Sequence, residues 1–552
     1  MSLDRTNDKI QSWLDGPFDE ETKAQIKHLQ KTDPTALTDA FFKDLSFGTG
    51  GMRGIMGIGT NRLNIYTIRM ATQGLANYIK RASVNENLSV FIGYDVRNHS
   101  REFAVEAARV FAGNGIKALV SKDICPTPLV SFACRRYQCS AAVMITASHN
   151  PPQYNGYKVY WSDGCQVVPP HDEGIMNEVR KIHSPSQVFL SDVFEEIGSE
   201  LDDAYLQELK KLQMLEAKPL KITYANLHGT GIRLIPKALS CWGYNDLSFV
   251  EEQKTPDGNF PNAPSPNPEE ESALRLGIEQ IKNQNRDLLI ATDPDADRIG
   301  IATQQMKFTG NQTACLCLYH ICQTLVQKGE FPENAAFIKS IVTTELFRKI
   351  SEDFNGKCID VLTGFKYIGE QIGIWDKTFD GYQYIFGAEE SYGYLFGTFV
   401  RDKDSISSAC LIAEVAAIAK EKGLTLSMLL EEIYQKYGVH REALINLKFS
   451  DGKDGLHQIK AIMTRLRNNP PQTINGKKVA SYEDYLRAEY DLPPSDVLRF
   501  WLEDETKIVI RPSGTEPKVK IYLEVVGSSV QECDKRLEIL KSSLSSFLSL
   551  DT

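Results

Sequence analysis

An apolar run, Ala141-Ala142-Val143-Met144-Ile145, passes directly into Thr146-Ala147-Ser148-His149-Asn150-Pro151-Pro152. The run reads as a buried strand. Two consecutive prolines then bar the chain from extending the ladder or entering a helix at once. A chain with this junction must end a strand at a constrained loop, with a serine and an imidazole side by side. Strand ends are where α/β proteins place chemistry. Ser and Asn are also ordinary turn residues, so the stretch alone allows either a reactive serine or a polar turn.

The surrounding pattern predicts a parallel α/β domain. A helix over about Tyr66 to Lys80 leads to a strand at Ser89–Tyr94, then Asp95-Val96-Arg97, with Ser100 placed to cap the next helix. Phe103, Ala107, Val110 and Phe111 share one face of that helix, and Gly113 or Gly115 ends it. The strand Ala118–Val120 completes the alternation before Ser148. Residues 1–45 are polar and helical in tendency, with Leu37 to Leu45 laid over this domain. Phe47-Gly48-Thr49-Gly50-Gly51-Met52-Arg53-Gly54 is glycine-rich. It is either a flexible turn or a close-approach loop whose N–H groups and arginine suit an anion. It is no Walker loop, because no Gly-Lys-Ser/Thr follows. Asn155-Gly156-Tyr157-Lys158 reads as a turn followed by a cation, either a phosphate neutraliser or a solvated lysine.

Residues 186–219 are acidic and helical and lead to a second domain. It opens with Leu220–Tyr224 and the loop His228-Gly229-Thr230-Gly231-Ile232-Arg233. A Pro- and Asn-rich surface loop runs from about Thr255 to Pro268. The strand Asp287–Ala291 then enters Asp293-Pro294-Asp295-Ala296-Asp297-Arg298, and Ile299–Ala302 continues as strand. Carboxylates at alternate positions on a bent loop converge on one hard cation. An EF-hand is excluded, since its sixth position is Arg298 and its twelfth Gln304. Unneutralised, three such carboxylates repel strongly. Magnesium, with an open position for a phosphoryl oxygen, fits better than a solvated acidic turn.

A third α/β unit starts near Phe308, with helix Ala314–Lys328, strand Ala336–Val342 and the loop Thr363-Gly364-Phe365-Lys366. The strand Tyr384–Phe386 ends in Gly387-Ala388-Glu389-Glu390-Ser391-Tyr392-Gly393. Glu389 and Ser391 are spaced to grip vicinal hydroxyls, or form a charged turn. Arg401-Asp402-Lys403-Asp404 brings Lys403 to the same pocket or is a solvated charge run. After helix Leu424–Tyr437, strands near Leu444–Phe449 and Lys507–Ile510 lead to Arg511-Pro512-Ser513-Gly514-Thr515-Glu516-Pro517-Lys518. That segment is a small phosphate cradle or a polar turn. The strand Val519–Val526 and a helix with Val530, Cys533, Leu537, Leu540, Leu544 and Phe547 on its core face close the chain.

At 552 residues the length suits three to four domains. A net charge of −10 argues against nucleic acid as the main partner. No apolar run is long enough to span a bilayer, and the first residues lack a signal-peptide core. Eleven scattered cysteines without a C-x-x-C pair point to the reducing cytoplasm. A serine nucleophile, a metal loop, a hydroxyl-gripping loop and a second phosphate site together point to phosphoryl transfer on a phosphorylated sugar. A phosphatase or kinase needs one phosphate site, whereas two suit a mutase. The missing G-x-S-x-G elbow argues against a serine hydrolase.

Thr146–Pro151, Asp293–Arg298, Gly387–Gly393 and Arg511–Thr515 resemble, in order and spacing, the four active-site loops of the α-D-phosphohexomutase superfamily. The resemblance covers nearly the whole chain and is closest to the longer phosphoglucomutase/phosphomannomutase-type members. It implies an α/β fold of four domains around a central cleft, three similar mixed α/β domains plus a C-terminal α+β domain. The expected boundaries are 1–215, 216–307, 308–430 and 431–552, with the fourth domain rotating about a hinge between about 424 and 445. It implies phosphorylation of Ser148. Asp293, Asp295 and Asp297 are the implied Mg2+ ligands, with a phosphoserine oxygen completing the site. His149, Lys158 and Arg53 surround the phosphoryl group, with Arg298 near it. Glu389 and Ser391 bind sugar hydroxyls, helped by Lys366, and Lys403 is placed with them. Arg511, Ser513, Gly514 and Thr515 hold the non-reacting phosphate. The implied reaction interconverts glucose 1-phosphate and glucose 6-phosphate through glucose 1,6-bisphosphate, which also primes the enzyme. Mannose or pentose phosphates are open alternatives. The cross-class alternatives are a serine phosphatase or phosphotransferase, and a non-catalytic scaffold. Some members continue the sugar loop as Ser-Gly-His, whereas here Tyr392-Gly393 follows Ser391. That histidine's role falls to Lys158, His149 or Lys403, or goes unfilled.

Overall fold

The computed structural model describes residues 3–45, 47, 51–83, 87–378, 381–450, 453–487, 492–513 and 518–548. The chain divides into two compact units, Met1–Thr313 with Phe365–Gly423, and Ala314–Gly364 with Leu424–Thr552.

In the first unit, helices Leu3–Asp15, Glu20–Thr32 and Pro34–Phe41 enclose an aromatic cluster of Trp13, Phe18, Phe41 and Tyr66. Tyr66 opens the core of the helix Ile65–Ala82, whose start is fixed by a capping box between Asn64 and Thr67. A six-stranded sheet follows, in the order Gly51–Ile55, Tyr154–Trp161, Ala141–Ile145, Ser89–Tyr94, Lys117–Ser121, Glu195–Ile197. Its last four strands are parallel, while Tyr154–Trp161 runs antiparallel to both neighbours. The sheet is therefore mixed, not all-parallel. Asn155 to Lys158 is strand and not the expected turn. Gly156 is there for close approach: a Cβ on it would lie 2.4 Å from the Thr146 carbonyl oxygen and 2.8 Å from that of Met52.

Ser100 does not cap its helix. His99, at φ +62°, holds the cap position, and Ser100 is the first helical residue, donating from Oγ to Asp95 Oδ1 at 2.7 Å. The predicted core face of that helix is buried. A second sheet orders Ile299–Ala302, Leu288–Thr292, Ile222–Ala225 and Leu247–Phe249, the first pair antiparallel and the others parallel. The unit is completed by the hairpin Gln383–Glu389 and Gly393–Phe396 and the helix Ser405–Glu421. That helix is apolar on nearly every face and buried along almost its whole length.

The second unit holds the parallel pair Ala335–Ser340 and Lys357–Val361. It also holds an antiparallel sheet in the order Val439–Lys448, Lys518–Gly527, Lys507–Pro512, Leu498–Leu502, Lys477–Asp484, Thr473–Ile474. The helix Val530–Leu548 buries Cys533, Leu537, Leu540 and Leu544, but Val530 is exposed. Phe547 lies outside the residues whose side chains are described.

Candidate active site

Ser148 lies just past the end of the strand Ala141–Ile145 at φ +51°, a left-handed conformation that costs a non-glycine residue energy and needs outside support. That support is visible. The Ser148 amide donates to Thr146 Oγ1 at 2.8 Å, and Thr146 Oγ1 donates to Asp95 Oδ2 at 2.6 Å. The Ser148 hydroxyl, almost fully buried, donates to Asp293 Oδ2 at 2.7 Å and lies 3.2 Å from His149 Nδ1. Burial and the guanidinium groups of Arg298 and Arg53 hold the His149 imidazole well below its usual pKa, so it is neutral near pH 7. Arg53, paired with Gly156 in the sheet, donates to Asn150 Oδ1 at 2.9 Å.

The three carboxylates of Asp293, Asp295 and Asp297 are buried, with one oxygen of each within 4.8 Å of the others. Their loop turns tightly: Ala296 sits at φ +53°, and the amides of Asp297 and Arg298 donate to Asp293 Oδ1 at 3.1 and 3.0 Å. Two neighbours buttress it. Thr127 Oγ1 donates to Asp295 Oδ2 at 2.8 Å, and Thr230 donates from both N and Oγ1 to the Pro294 carbonyl at 2.8 and 2.9 Å. The glycine-rich loop at 228–233 thus supports the aspartates, while its Arg233 pairs with Asp202 at 2.7 Å.

Lys158 Nζ lies 2.7 Å from Asp295 Oδ2 and 3.2 Å from Asp297 Oδ2. Lys403 Nζ lies 3.3 Å from Asp297 Oδ2 and 3.2 Å from Asp402 Oδ1, whose other oxygen accepts from the buried Tyr160 hydroxyl at 2.8 Å. Asp404 fixes this segment by capping the helix Ser405–Glu421. Burial and the two neighbouring carboxylates push the Asp293 carboxyl well above its ordinary range. For Asp297, burial works upward as well, but Lys158, Lys403 and Arg298 together outweigh it and bring it down. Asp295 Oδ1 and Asp297 Oδ1 are buried without a hydrogen-bond partner. An all-oxygen donor set with two such orphaned anionic acceptors fits a hard divalent cation.

The hairpin tip carrying Glu389 and Ser391 is tied to this loop, because the Ile299 amide donates to the Tyr392 carbonyl at 3.0 Å. Glu389, the last residue of its strand, is buried, and its charge acts on both Arg298 and Lys403. Arg298 itself is engaged by Glu269 through Nη1. Tyr392 turns away at φ +64°, its hydroxyl donating to the Phe308 carbonyl at 3.4 Å. Any side chain at 393 would strike Lys403, since a Cβ there would lie 2.1 Å from Lys403 Cδ. Lys366 has its Nζ 4.0 Å from Asp172 and 5.1 Å from the centroid of the Tyr367 ring, neither of which belongs to the cluster around Ser148.

In the second unit, Arg511 pairs with Lys520 across the sheet, and the Ser513 amide donates to the Lys518 carbonyl at 2.8 Å. Gly514 and Thr515 lie outside the described residues. The supporting groups Thr127, Thr146, Arg97, Tyr160 and Asp402 were not singled out from the sequence. Arg97, Thr146 and Asp402 lie within segments the sequence marks, Asp95-Val96-Arg97, Thr146–Pro151 and Arg401-Asp402-Lys403-Asp404, whereas Thr127 and Tyr160 carry no signal.

Residues 44–186, 203–307 and 309–437 match the phosphoglucomutase/phosphomannomutase alpha/beta/alpha domains I, II and III, and residues 444–539 match the C-terminal domain of the same family. A phosphoglucomutase of Staphylococcus aureus is 39% identical over 525 residues, 91% of this chain and 93% of that protein. One of Staphylococcus haemolyticus is 37% identical over 515 residues, 89% and 92% of the two chains. Among solved structures, the exocytosis-sensitive phosphoprotein pp63/parafusin (phosphoglucomutase) of Paramecium, in its open form, superposes with a TM-score of 0.70 at 17% identity, over 92% of this chain and 95% of that one. A phosphoglucomutase/phosphomannomutase family protein of Burkholderia thailandensis gives 0.69 at 18%, over 91% and 97%. At such identities these two speak for the fold alone. Among the described residues, no helix is long and apolar enough to cross a membrane.

Proposed function

The chain belongs to the phosphoglucomutase/phosphomannomutase family of intramolecular phosphotransferases, and on that premise we propose that it interconverts glucose 1-phosphate and glucose 6-phosphate through a phosphoserine at Ser148. One observation carries the reading: the Ser148 hydroxyl, held at positive φ, meets a buried carboxylate triad in which two oxygens have no hydrogen-bond partner.

Asp293, Asp295 and Asp297 would hold Mg2+. Bound there, the ion supplies Lewis-acid stabilisation of charge on the transferring phosphoryl group. The chain's own residues do the rest. The phosphoryl group on Ser148 Oγ passes to the free 6-hydroxyl of glucose 1-phosphate, so the Oγ–P bond breaks, the O6–P bond forms, and the proton lost by O6 is balanced by the one that restores the Ser148 hydroxyl. The resulting glucose 1,6-bisphosphate turns over in the site. Its C1 phosphoryl group then returns to Ser148: the Oγ–P bond forms, the O1–P bond breaks, the proton lost by the Ser148 hydroxyl is balanced by the one taken up at O1, and glucose 6-phosphate is left. Lys158, Arg53 and Arg298 offset the negative charge around the reacting oxygens, and neutral His149 can donate a hydrogen bond from Nδ1 to Ser148 Oγ. Lys403 occupies the space that a side chain at 393 would need, and we assign it with Glu389 and Ser391 to the sugar hydroxyls. We assign Lys366, the first residue of the helix Lys366–Trp375, to assist them. Arg511, Ser513, Gly514 and Thr515 would bind the phosphate that is not reacting. A trace of glucose 1,6-bisphosphate primes unmodified enzyme. Eleven free cysteines, ten of them buried, suit a reducing cytoplasm. We assign the four segments 1–215, 216–307, 308–430 and 431–552 to the serine, metal, sugar and phosphate loops.

The test is turnover of glucose 1-phosphate, mannose 1-phosphate and ribose 1-phosphate with Mg2+ and a trace of the matching bisphosphate. A clear preference in kcat/KM for glucose 1-phosphate, with glucose 6-phosphate formed, is expected. Release of inorganic phosphate with no 6-phosphate would replace the reading with a phosphatase.

A further inference from the structure

The turn after the strand Ser89–Tyr94 carries no group that faces the reacting atoms, yet it holds the Ser148 loop at both ends. Arg97 is almost fully buried. Its Nη1 donates to the carbonyls of Pro151 and Tyr154, both at 2.9 Å. Its Nη2 donates to the carbonyl of Ser148 at 2.6 Å and to that of Asn150. The four terminal N–H groups of one guanidinium are thus spent on four carbonyls of a single loop. Its Nε lies 3.3 Å from Asp95 Oδ2. That same carboxylate oxygen accepts from Thr146, whose oxygen in turn accepts from the Ser148 amide.

The guanidinium also packs on the loop near 255–268. Arg97 Cζ sits 5.1 Å from the centroid of the fully buried Phe260 ring. Beside it, Asn98 Nδ2 donates to Asn259 Oδ1 at 2.9 Å, and a Cβ on Gly258 would lie 2.6 Å from the Asn98 amide nitrogen. The Pro- and Asn-rich loop near 255–268, which the sequence offers only as a surface loop, therefore seats the segment bearing the aspartates against the turn that shapes the serine loop.

We infer that Asp95 and Arg97, braced on Phe260, are positioning residues that fix Ser148 Oγ relative to the carboxylate triad. This rests on the reading that Ser148 carries the transferred phosphoryl group. The pair touches none of the reacting atoms and acts through backbone geometry: it holds Ser148 at positive φ and aims its hydroxyl at Asp293. A lysine at 97 keeps the charge but offers three donors without the planar fork, so it cannot satisfy four carbonyls together.

The experiment compares wild-type protein with Arg97→Lys, measuring single-turnover labelling of Ser148 by radiolabelled glucose 1,6-bisphosphate, kcat and KM for glucose 1-phosphate, and the melting temperature. Labelling and kcat are expected to fall about 100-fold, as a misplacement of about 1 Å would produce, while KM stays within about threefold because no substrate contact is removed. Wild-type labelling rates in folded Arg97→Lys overturn the inference, as does a rise in KM that alone accounts for the loss. If Arg97→Lys does not fold, Thr146→Val decides. It removes the hydroxyl linking Asp95 to the Ser148 amide and is expected to slow labelling about tenfold; an unchanged rate overturns the inference. Absence of label on Ser148 in the wild-type protein would instead sink the phosphoserine reading, leaving the two failures distinct.

Discussion

Replacing Gly393 with alanine tests how Lys403 reaches the carboxylate triad. The backbone at 393 is not in the left-handed region, so alanine carries no conformational strain and its effect is steric. The added Cβ would lie 2.1 Å from Lys403 Cδ, 2.7 Å from Cγ and 3.5 Å from Cε, with no other side chain among its three nearest atoms. Carbon atoms settle at about 3.5–4.0 Å, so the lysine stem must retreat by roughly 1.5 Å. That is enough to carry Nζ out of contact with Asp297 and Asp402, now 3.3 and 3.2 Å away. A charge-assisted contact of this kind contributes about 1.5–3 kcal/mol, which corresponds to about 10- to 150-fold in kcat/KM. The assay is a double-variant cycle on kcat/KM with Lys403→Ala. Gly393→Ala alone should cost nearly as much as Lys403→Ala alone, and the combined variant should be no worse than Lys403→Ala. Equal fold-losses from Gly393→Ala in both backgrounds would refute the steric reasoning.

Adding Mg2+ to metal-free protein at a hundredfold excess over Kd should stabilise it by about 2.7 kcal/mol, read as a rise in melting temperature. Asp297→Asn should abolish both that rise and turnover, and a full rise in the variant would remove the triad from metal binding. In the second unit, Lys507 Nζ joins Glu345 and Glu524, each at 2.8 Å, with all three side chains largely buried. Lys507→Met leaves two carboxylates in the interior with one partner fewer, and should cost about 3–5 kcal/mol, read as a lower denaturation midpoint for this unit. Burial works to raise the Glu524 pKa, but Lys507 and His440 outweigh it and pull it down to about 2. A depressed carboxyl stabilises the fold above its unfolded value of about 4.3, and that stability is lost as pH falls through about 2. Acid titration of Glu524→Gln should therefore show a shallower loss of stability between these two values than the wild type, and identical profiles would exclude Glu524 as the cause.

Elements whose burial is written in the local pattern were legible in the sequence. The strands Ser89–Tyr94, Ala141–Ile145 and Ile299–Ala302 occur at those residues because each is a short apolar run closed by polar or proline signals. Ser148 and the three aspartates were legible because a few contiguous residues carry their chemistry. Lys158 follows strand and not a turn: Asn-Gly has strong turn propensity, but here the glycine is needed so that two carbonyls can approach an antiparallel strand. Asp95-Val96-Arg97 stands out in the sequence, but the role of Arg97 does not, because its acceptors are backbone carbonyls, and any sequence supplies those. The departure at Tyr392-Gly393 left a role unassigned; only the side-chain contact shows that Lys403 lies where residue 393 would project.

The account turns on whether Ser148 carries the phosphoryl group. The most direct measurement is to incubate wild-type protein and Ser148→Ala with Mg2+ and radiolabelled glucose 1,6-bisphosphate, map the label by peptide mass spectrometry, and chase with unlabelled glucose 1-phosphate. The account predicts one phosphate on Ser148, transferred on chase into sugar bisphosphate and hexose 6-phosphate, with no label and no turnover in Ser148→Ala. Turnover by Ser148→Ala at the wild-type rate, or label on another residue that chases into product, would contradict it.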